Sequence, residues 1–274
     1  MTRLRVLAMT VHCVDIFPEL NQFYIGGNSL NFATQAIKSG AETAVLGAVG
    51  FDQFGDSILN YYREGKIEHT HLYQIRGDTA SNRIFIDEHG DRYFKPDSWH
   101  DGLFGTFRLS EDDWEYANSF DVIHIPTTDP NFMDACERMG NTRLIADFLD
   151  TTDPDFIERR LPFVQIGFIS TPKKKVGFFQ QLAEKYQTLM VLTHGSEGST
   201  AIWNKKLFFH PVKCVDKVID TTGCGDAYQA AFTVEWLESH DIEKAMLKGT
   251  DAASRILNHV GGVSWPSSQL EVLY

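Results

Sequence analysis

With 274 residues, 43% of them hydrophobic and 23% charged, the chain has ample material for a packed core and too much of it for a disordered segment. Lys and Arg number 25 against 37 Asp and Glu, a formal net charge of −12, which excludes a nucleic-acid binder that works by cationic neutralisation of phosphates. No stretch approaches the roughly 20 apolar residues that cross a bilayer, so no membrane partner is expected. The apolar run at the N-terminus breaks at His12 and Asp15 and lacks the small-residue cleavage site of a secretion signal. Cys13, Cys136, Cys214 and Cys224 are scattered without C-x-x-C spacing, which reads as free thiols in a reducing cytoplasm.

Leu4 to Val11 is a nearly continuous apolar run, as in a strand buried on both faces. Gly26-Gly27 then precedes a helical pattern through Leu30, Ala33 and Ile37 that stops at Gly40, with Asn28 placed as its cap. Thr43 to Val49 reads as a strand and Asp56 to Glu64 as a helix. The pattern then shortens: Leu72 to Arg76, Asn82 to Asp87 and Arg92 to Lys95 are extended, with a turn signal at Glu88 to Asp91. With Phe17 to Ile25 they predict a small β layer projecting from an α/β body. Alternation returns with strands DVIHI, RLIADF, QIGFIS and TLMVLT and helices near Asn131 to Met139 and Val176 to Tyr186. A hairpin through Asn204-Lys205 and two long helices, Ala227 to Ser239 and Ile242 to Val260, complete the chain. The fold expected is α/β: a doubly wound, mostly parallel sheet flanked by helices.

Residues 218 to 232, VIDTTGCGDAYQAAF, concentrate the chemistry. A strand is expected to end at Asp220, small residues Thr221 to Gly225 form a loop, and a helix opens at Asp226. Small residues admit close approach of a ligand to backbone, and the unpaired N–H groups of a helix start attract a transferring phosphoryl group. An ionised Asp in that position can accept a hydroxyl proton. The plainer alternative is a glycine-rich turn that Asp226 merely caps.

DTTGCGD closely resembles the D-T-x-G-[AC]-G-D signature of the ribokinase-like (PfkB-type) carbohydrate kinases. GGNSLNFATQAIKSG followed by GAVGFDQFG is similar to that family's N-terminal G-G-x-x-x-N-x-A and G-x-x-G-x-D-x-x-G blocks, and Thr193 to Gly198 to its T-x-G-x-x-G nucleotide loop. CVDIFPEL before NQFYIGGNSLNFA looks most like the fructoselysine 6-kinase branch. The resemblance implies one ribokinase-like domain over 1–274, with a β lid from about 16–26 and 72–96 that pairs two copies into a homodimer. It implies γ-phosphate transfer from ATP, with Mg²⁺, to a primary hydroxyl of a sugar or ketosamine, and leaves room for an activating monovalent cation.

Residue by residue, it makes Asp226 the general base and Gly223, Cys224 and Gly225 the anion hole. Asp15, Gly26, Gly27, Asn31, Asn82 and Arg92 match the sugar side, and Thr193, Gly195, Gly198, Thr222, Ala252 and Asn258 the nucleotide side. The family's N-x-x-E glutamate, which organises Mg²⁺, is missing. FISTPKKKVGF stands there, so Asp147, with Asp150 beside it, is the candidate holder of the metal's waters. Lys173 to Lys175 either touch phosphate or form a solvated helix start. In the lid region Asn82, Arg83, Arg92 and Lys95 suit a substrate carboxylate, whereas Asp78, Asp87, Glu88 and Asp91 suit an ammonium. Two other readings stay open: a kinase for fructose, ribose or a nucleoside, and a sugar-binding protein on a kinase scaffold.

Overall fold

The computed structural model describes residues 3–86, 92–139, 142–266 and 268–269. The chain begins with β1 (Arg5–Thr10), then an antiparallel pair, β2 (Cys13–Phe17) and β3 (Gln22–Gly26), and helix α1 (Asn28–Lys38). Next come β4 (Glu42–Gly50), α2 (Gln53–Gly65) and β5 (Glu68–Ile75). The middle is built of short pieces: β6 (Ala80–Arg83), β7 (Phe85–Ile86), β8 (Arg92–Tyr93), β9 (Trp99–His100), α3 (Gly102–Thr106) and α4 (Glu111–Asn118). Then β and α alternate through β10 (Val122–Pro126), α5 (Phe132–Arg138), β11 (Arg143–Asp147), α6 (Pro154–Arg160), β12 (Ile166–Ser170), α7 (Val176–Tyr186) and β13 (Leu189–Thr193). A hairpin of β14 (Ser199–Trp203) and β15 (Lys206–His210) precedes α8 (Cys224–Ser239), α9 (Ile242–Ile256) and β16 (Ser268–Gln269).

Nine strands form one sheet in the order β15-β14-β13-β12-β11-β10-β1-β4-β5, parallel from β13 to β5 and antiparallel at the β14–β15 edge. Asn204 and Lys205 both take positive φ (49° and 63°), the geometry that lets a two-residue turn follow the strand twist. Alternate residues of the central strands feed two cores. Val6, Ala8, Val45 and Val122 pack with Phe32, Tyr62 and Phe232 of α1, α2 and α8, while Leu7, Met9, Leu46 and Ile123 pack with Trp114, Phe132, Ile157 and Phe179 of α4 to α7. Each fully buried Leu, Ile or Phe contributes about 1.5–3 kcal/mol, which is why strands covered on both faces read as unbroken apolar runs. The doubly wound, mostly parallel sheet expected from the sequence is present.

A second, five-stranded sheet runs β16-β3-β2-β6-β9, and β7–β8 is a separate pair. Its composition corrects the expected lid. Residues 72–75 belong to β5, the parallel edge strand of the large sheet, because Leu72 is buried there beside Gly47. The small sheet instead starts at Cys13 and takes in Trp99–His100 and Ser268–Gln269. Asp87 to Asp91 lie outside the described residues.

Three further expectations differ. Residues 211–220 form no strand before Asp220, the last helix ends at Ile256 rather than Val260, and Asn28 is the first helical residue, not the cap. Gly27 takes the cap position with φ 100°, where a Cβ would stand 2.5 Å from the Val11 carbonyl oxygen. Only glycine fits so close a crossing.

Candidate active site

Between β1 and β10 the chain reverses its direction of travel across the large sheet, and ligands of open α/β sheets bind beyond the strand ends at such a switch. Two helix starts converge near it. Val11 N–H donates to Ser29 Oγ at 3.1 Å and Ser29 N–H returns a bond to the Val11 carbonyl at 3.2 Å, fastening the end of β1 to α1. The start of α8 is shaped by Asp220, whose Oδ1 accepts from the Thr222 N–H (2.9 Å) and hydroxyl (2.8 Å) and whose Oδ2 accepts from Gly261 N–H at 2.9 Å. Gly223 follows with φ 79°, its Cβ position 2.5 Å from Gly262 Cα. Two glycine-bearing loops therefore touch backbone to backbone.

Asp226 sits half-buried in the first turn of α8. The cap position of α8 is Gly223, which has no side chain, and Asp226 stands in the first helical turn after it. Its carboxylate reaches across to α1: Oδ1 accepts from Asn28 Nδ2 and Oδ2 from Asn31 Nδ2, each at 2.8 Å. Asn28 Nδ2 also donates to Asp147 Oδ2 at 2.8 Å. Asp147, buried at the end of β11, further accepts from Leu149 N–H at 2.8 Å and from Gln229, and burial pushes its carboxyl up against these bonds. Gln229 Oε1 in turn lies 2.9 Å from His124 Nε2. Burial drives His124 down to about 4, so it is a neutral structural imidazole.

Asp15 is buried on β2, and a Cβ on Gly26 would stand 2.7 Å from its Oδ2 and 3.9 Å from Asn31 Oδ1. Asp15 and Asp226 also act together on the Cys13 thiol, which burial first and these two negative charges next hold well above its usual range. Gly225 is exposed, with open space where a Cβ would project. The geometry thus gathers Asp15, Gly26, Gly27, Asn31, Asp147, Gly223, Gly225 and Asp226 at one place. A carboxylate beside a helix N-terminus, with open backbone next to it, can take a hydroxyl proton and hold an anion.

The remaining expected residues lie further out. Thr193 ends β13, and Gly195 and Gly198 (φ 58° and 98°) form the turn after it, tied to α8 by Ser199 Oγ and Tyr228 OH, 2.9 Å apart. Thr222 is buried on Asp220. Cys224 Sγ donates to the Ala253 carbonyl at 3.6 Å, and Ala252 is buried against Ala227 and Ala231, so Ala252 is wall rather than open surface. Asn258 is exposed beyond α9, next to Leu257, whose carbonyl accepts from Ile219 N–H at 2.8 Å. Asn82 is on β6. The Arg92 backbone is in β8, away from the five-stranded sheet, and its side chain lies outside the described part. Lys173 to Lys175 are exposed at the start of α7, with Lys173 Nζ 4.5 Å from the Phe209 ring centroid, which fits a solvated helix start.

Asn28, Gln229 and Gly262 were not among the expected site residues. The sequence pattern places Asn28 as a cap, whereas the spacing of Asp226 and Gln229 puts both on one face of a helix. Among the described residues no three His, Cys, Asp or Glu side chains form a metal cage. A magnesium ion carried with phosphates needs only one or two carboxylates, and Asp147 and Asp226 beside the buried, unpartnered Asn28 Oδ1 are a hard-oxygen set of that kind.

A family model described as pfkB family carbohydrate kinase matches residues 18–165 and 158–268. The chain is 26% identical to a fructoselysine 6-kinase of Shigella flexneri over 255 residues (91% of this chain, 96% of that one). It is 25% identical to a fructosamine kinase of Bacillus subtilis strain 168 over 268 residues (96% and 94%). In fold it is similar to Arabidopsis thaliana ribokinase solved with ribose and ATP, with a TM-score of 0.79, 17% identity and coverage of 95% and 94%. The chain belongs to the pfkB family of carbohydrate kinases, phosphotransferases that act on a sugar hydroxyl.

Proposed function

We propose that this protein transfers the γ-phosphoryl group of ATP to a primary hydroxyl of a ketosamine such as fructoselysine. The observation that carries the reading is the Asp226 carboxylate, held by Asn28 and Asn31 beside the open backbone of Gly225. The two relatives named for fructoselysine and fructosamine support the acceptor class. Asp226 takes the proton of the acceptor hydroxyl, and Gly223, Cys224 and Gly225 steady charge on the phosphoryl oxygens through backbone N–H groups. Asp15, Gly26, Gly27 and Asn31 hold the sugar ring, with Asn82 toward its far side; Arg92 belongs to the sugar side by resemblance alone. Thr193, Gly195, Gly198, Thr222, Ala252 and Asn258 frame the nucleotide.

Magnesium, when bound with ATP, neutralises triphosphate charge and aligns the phosphates. Asp147 would hold it through water. Burial makes the Asp147 carboxylate costly, and a nearby cation offsets that cost. The whole chain acts as one domain in the cytoplasm, the small sheet serving as a lid that joins two copies.

The test is ADP release with Mg·ATP over a panel of fructoselysine, other ketosamines, fructose, ribose and nucleosides. The highest kcat/KM falls on a ketosamine. A higher value on free fructose or a nucleoside replaces the acceptor, and sugar binding without turnover on every acceptor replaces the enzyme with a binding protein.

A further inference from the structure

Four residues stand side by side across the small sheet. In the strand registers Tyr24 of β3 faces Asp15 of β2, Asp15 faces Asn82 of β6, and Asn82 faces Trp99 of β9. Registered neighbours project to the same side of a sheet, so these side chains form one row. Its inner half is the Asp15 carboxylate against Gly26 and near Asn31. Its outer half opens into a shallow, solvent-open cavity of about 500 Å³ lined by Asn82, Phe94, Lys95, Asp97, Ser98 and Trp99, of which Phe94, Lys95, Asp97 and Trp99 are exposed.

The cavity has a defined chemical character. Asn82 Oδ1 is buried without a hydrogen-bond partner, an acceptor whose desolvation is offset only when a donor reaches it. The turn after β8 is firmly made: Ser98 N–H donates to the Lys95 carbonyl at 3.1 Å, Lys95 N–H donates to Ser98 Oγ at 2.9 Å, and Ser98 is buried. Asp97 takes a left-handed φ of 61° in this turn. Lys95 Nζ lies 3.7 Å from the Phe85 ring centroid. One cation and one anion, two positions apart on a fixed turn, thus line the same cavity as the aromatic side chains of Phe94 and Trp99.

From this arrangement we infer that the cavity is the subsite for the non-sugar end of the acceptor. It takes a zwitterionic amino-acid head, carboxylate toward Lys95 and ammonium toward Asp97, carried on a flexible chain. The inference rests on the ketosamine reading above and sharpens it. The N–H of the sugar–amine linkage satisfies Asn82 Oδ1, and the methylene chain lies along Trp99. Neighbouring strands are about 4.8 Å apart, so Asp15 and Trp99 stand about 10 Å apart across two steps. Glycine joined to the sugar through its α-nitrogen keeps its carboxylate carbon within about 2.5 Å of that nitrogen and has no free primary ammonium. A lysine joined through its ε-nitrogen places both charges beyond four methylenes, at the outer end of the row.

The test compares ε-fructosyl-lysine with α-fructosyl-glycine as acceptors for the wild-type protein, Lys95→Met and Asp97→Asn. Asn accepts the left-handed backbone, so the second variant keeps the turn, and thermal melting checks both. The wild type prefers ε-fructosyl-lysine by kcat/KM, and each variant lowers that preference about tenfold. Acetylating the α-nitrogen of ε-fructosyl-lysine costs the wild type a similar factor, a measurement that needs no variant. A preference untouched by the substitutions and by acetylation, or a wild type that favours α-fructosyl-glycine, overturns the subsite and leaves a ketosamine kinase. Turnover of fructose or a nucleoside with none of either ketosamine overturns both.

Discussion

Asp147 and Asp226 share one donor: Asn28 Nδ2 stands 2.8 Å from an oxygen of each. A donated N–H bond favours the charged form of a carboxylate, and at Asp147 the Asn28 bond works with those from Gln229 and the Leu149 N–H against a burial that raises its carboxyl.

Asn28→Ala is therefore expected to shift the acidic limb of the kcat–pH profile to higher pH and to lower kcat about tenfold. Asn28→Asp, which replaces the donor with a third negative charge, shifts it further. An acidic limb that stays in place in both variants would show that Asn28 has no part in positioning the base.

Asp226→Asn keeps shape and removes the proton acceptor. Turnover should fall by about 10³-fold, while calorimetric sugar affinity stays within a few-fold and the melting temperature holds. Wild-type turnover in this variant would remove Asp226 from the base role.

Gly223 and Gly225 separate folding from catalysis. At Gly223 a Cβ meets Gly262 Cα at 2.5 Å and φ is 79°, so Gly223→Ala should cost stability, roughly 1–3 kcal/mol by denaturant titration. At Gly225 a Cβ meets nothing within 4 Å, so Gly225→Ala should fold as the wild type yet lose activity at least tenfold, because the methyl group enters the space of the transferring group. A fully active Gly225→Ala enzyme would move the anion hole elsewhere.

His12 and His124 are both buried and both held at about 4, chiefly by desolvation. Their folded values lie below the unfolded value of about 6.5, so the unfolded chain binds more protons between these limits. Stability is thus complete above pH 6.5 and is lost as pH falls toward 4, by up to about 1.4 kcal/mol per pH unit for each histidine. His124→Phe, which keeps the stack on Phe32, removes one of the two contributions. Urea titrations from pH 7 to pH 4.5 that give parallel curves for variant and wild type would show that His124 is not buried in its neutral form.

Much of this architecture was legible because strands buried on both faces leave no alternative to apolar runs: β1, β4, β10, β11, β12 and β13 were each found within a residue or two. The hairpin at Asn204-Lys205 was legible in its turn residues. What escaped has physical causes. Residues 68–75 alternate like a half-covered strand because β5 is an edge, so they resembled the small sheet until its partner was known. Helix α4 carries a capping box, Ser110 with Asp113, but is only eight residues long and weakly apolar, and it was missed. At the site, DTTGCGD announced Asp226, and the absence of the family's N-x-x-E glutamate left Asp147, with Asp150, as the candidate for the metal's waters. The role of Asn28 could not be read, since a side chain that joins residues 147 and 226 has no local signature.

The bond from Asn28 to Asp226 spans 198 positions of the chain, and that from Asn31 spans 195. Loop closure over such a distance comes late, after nearby pieces have found each other. Restoration of phosphate transfer after dilution from denaturant therefore reports the joining of the two halves of the polypeptide, and a fragment cut anywhere between them has no partial competence to fall back on.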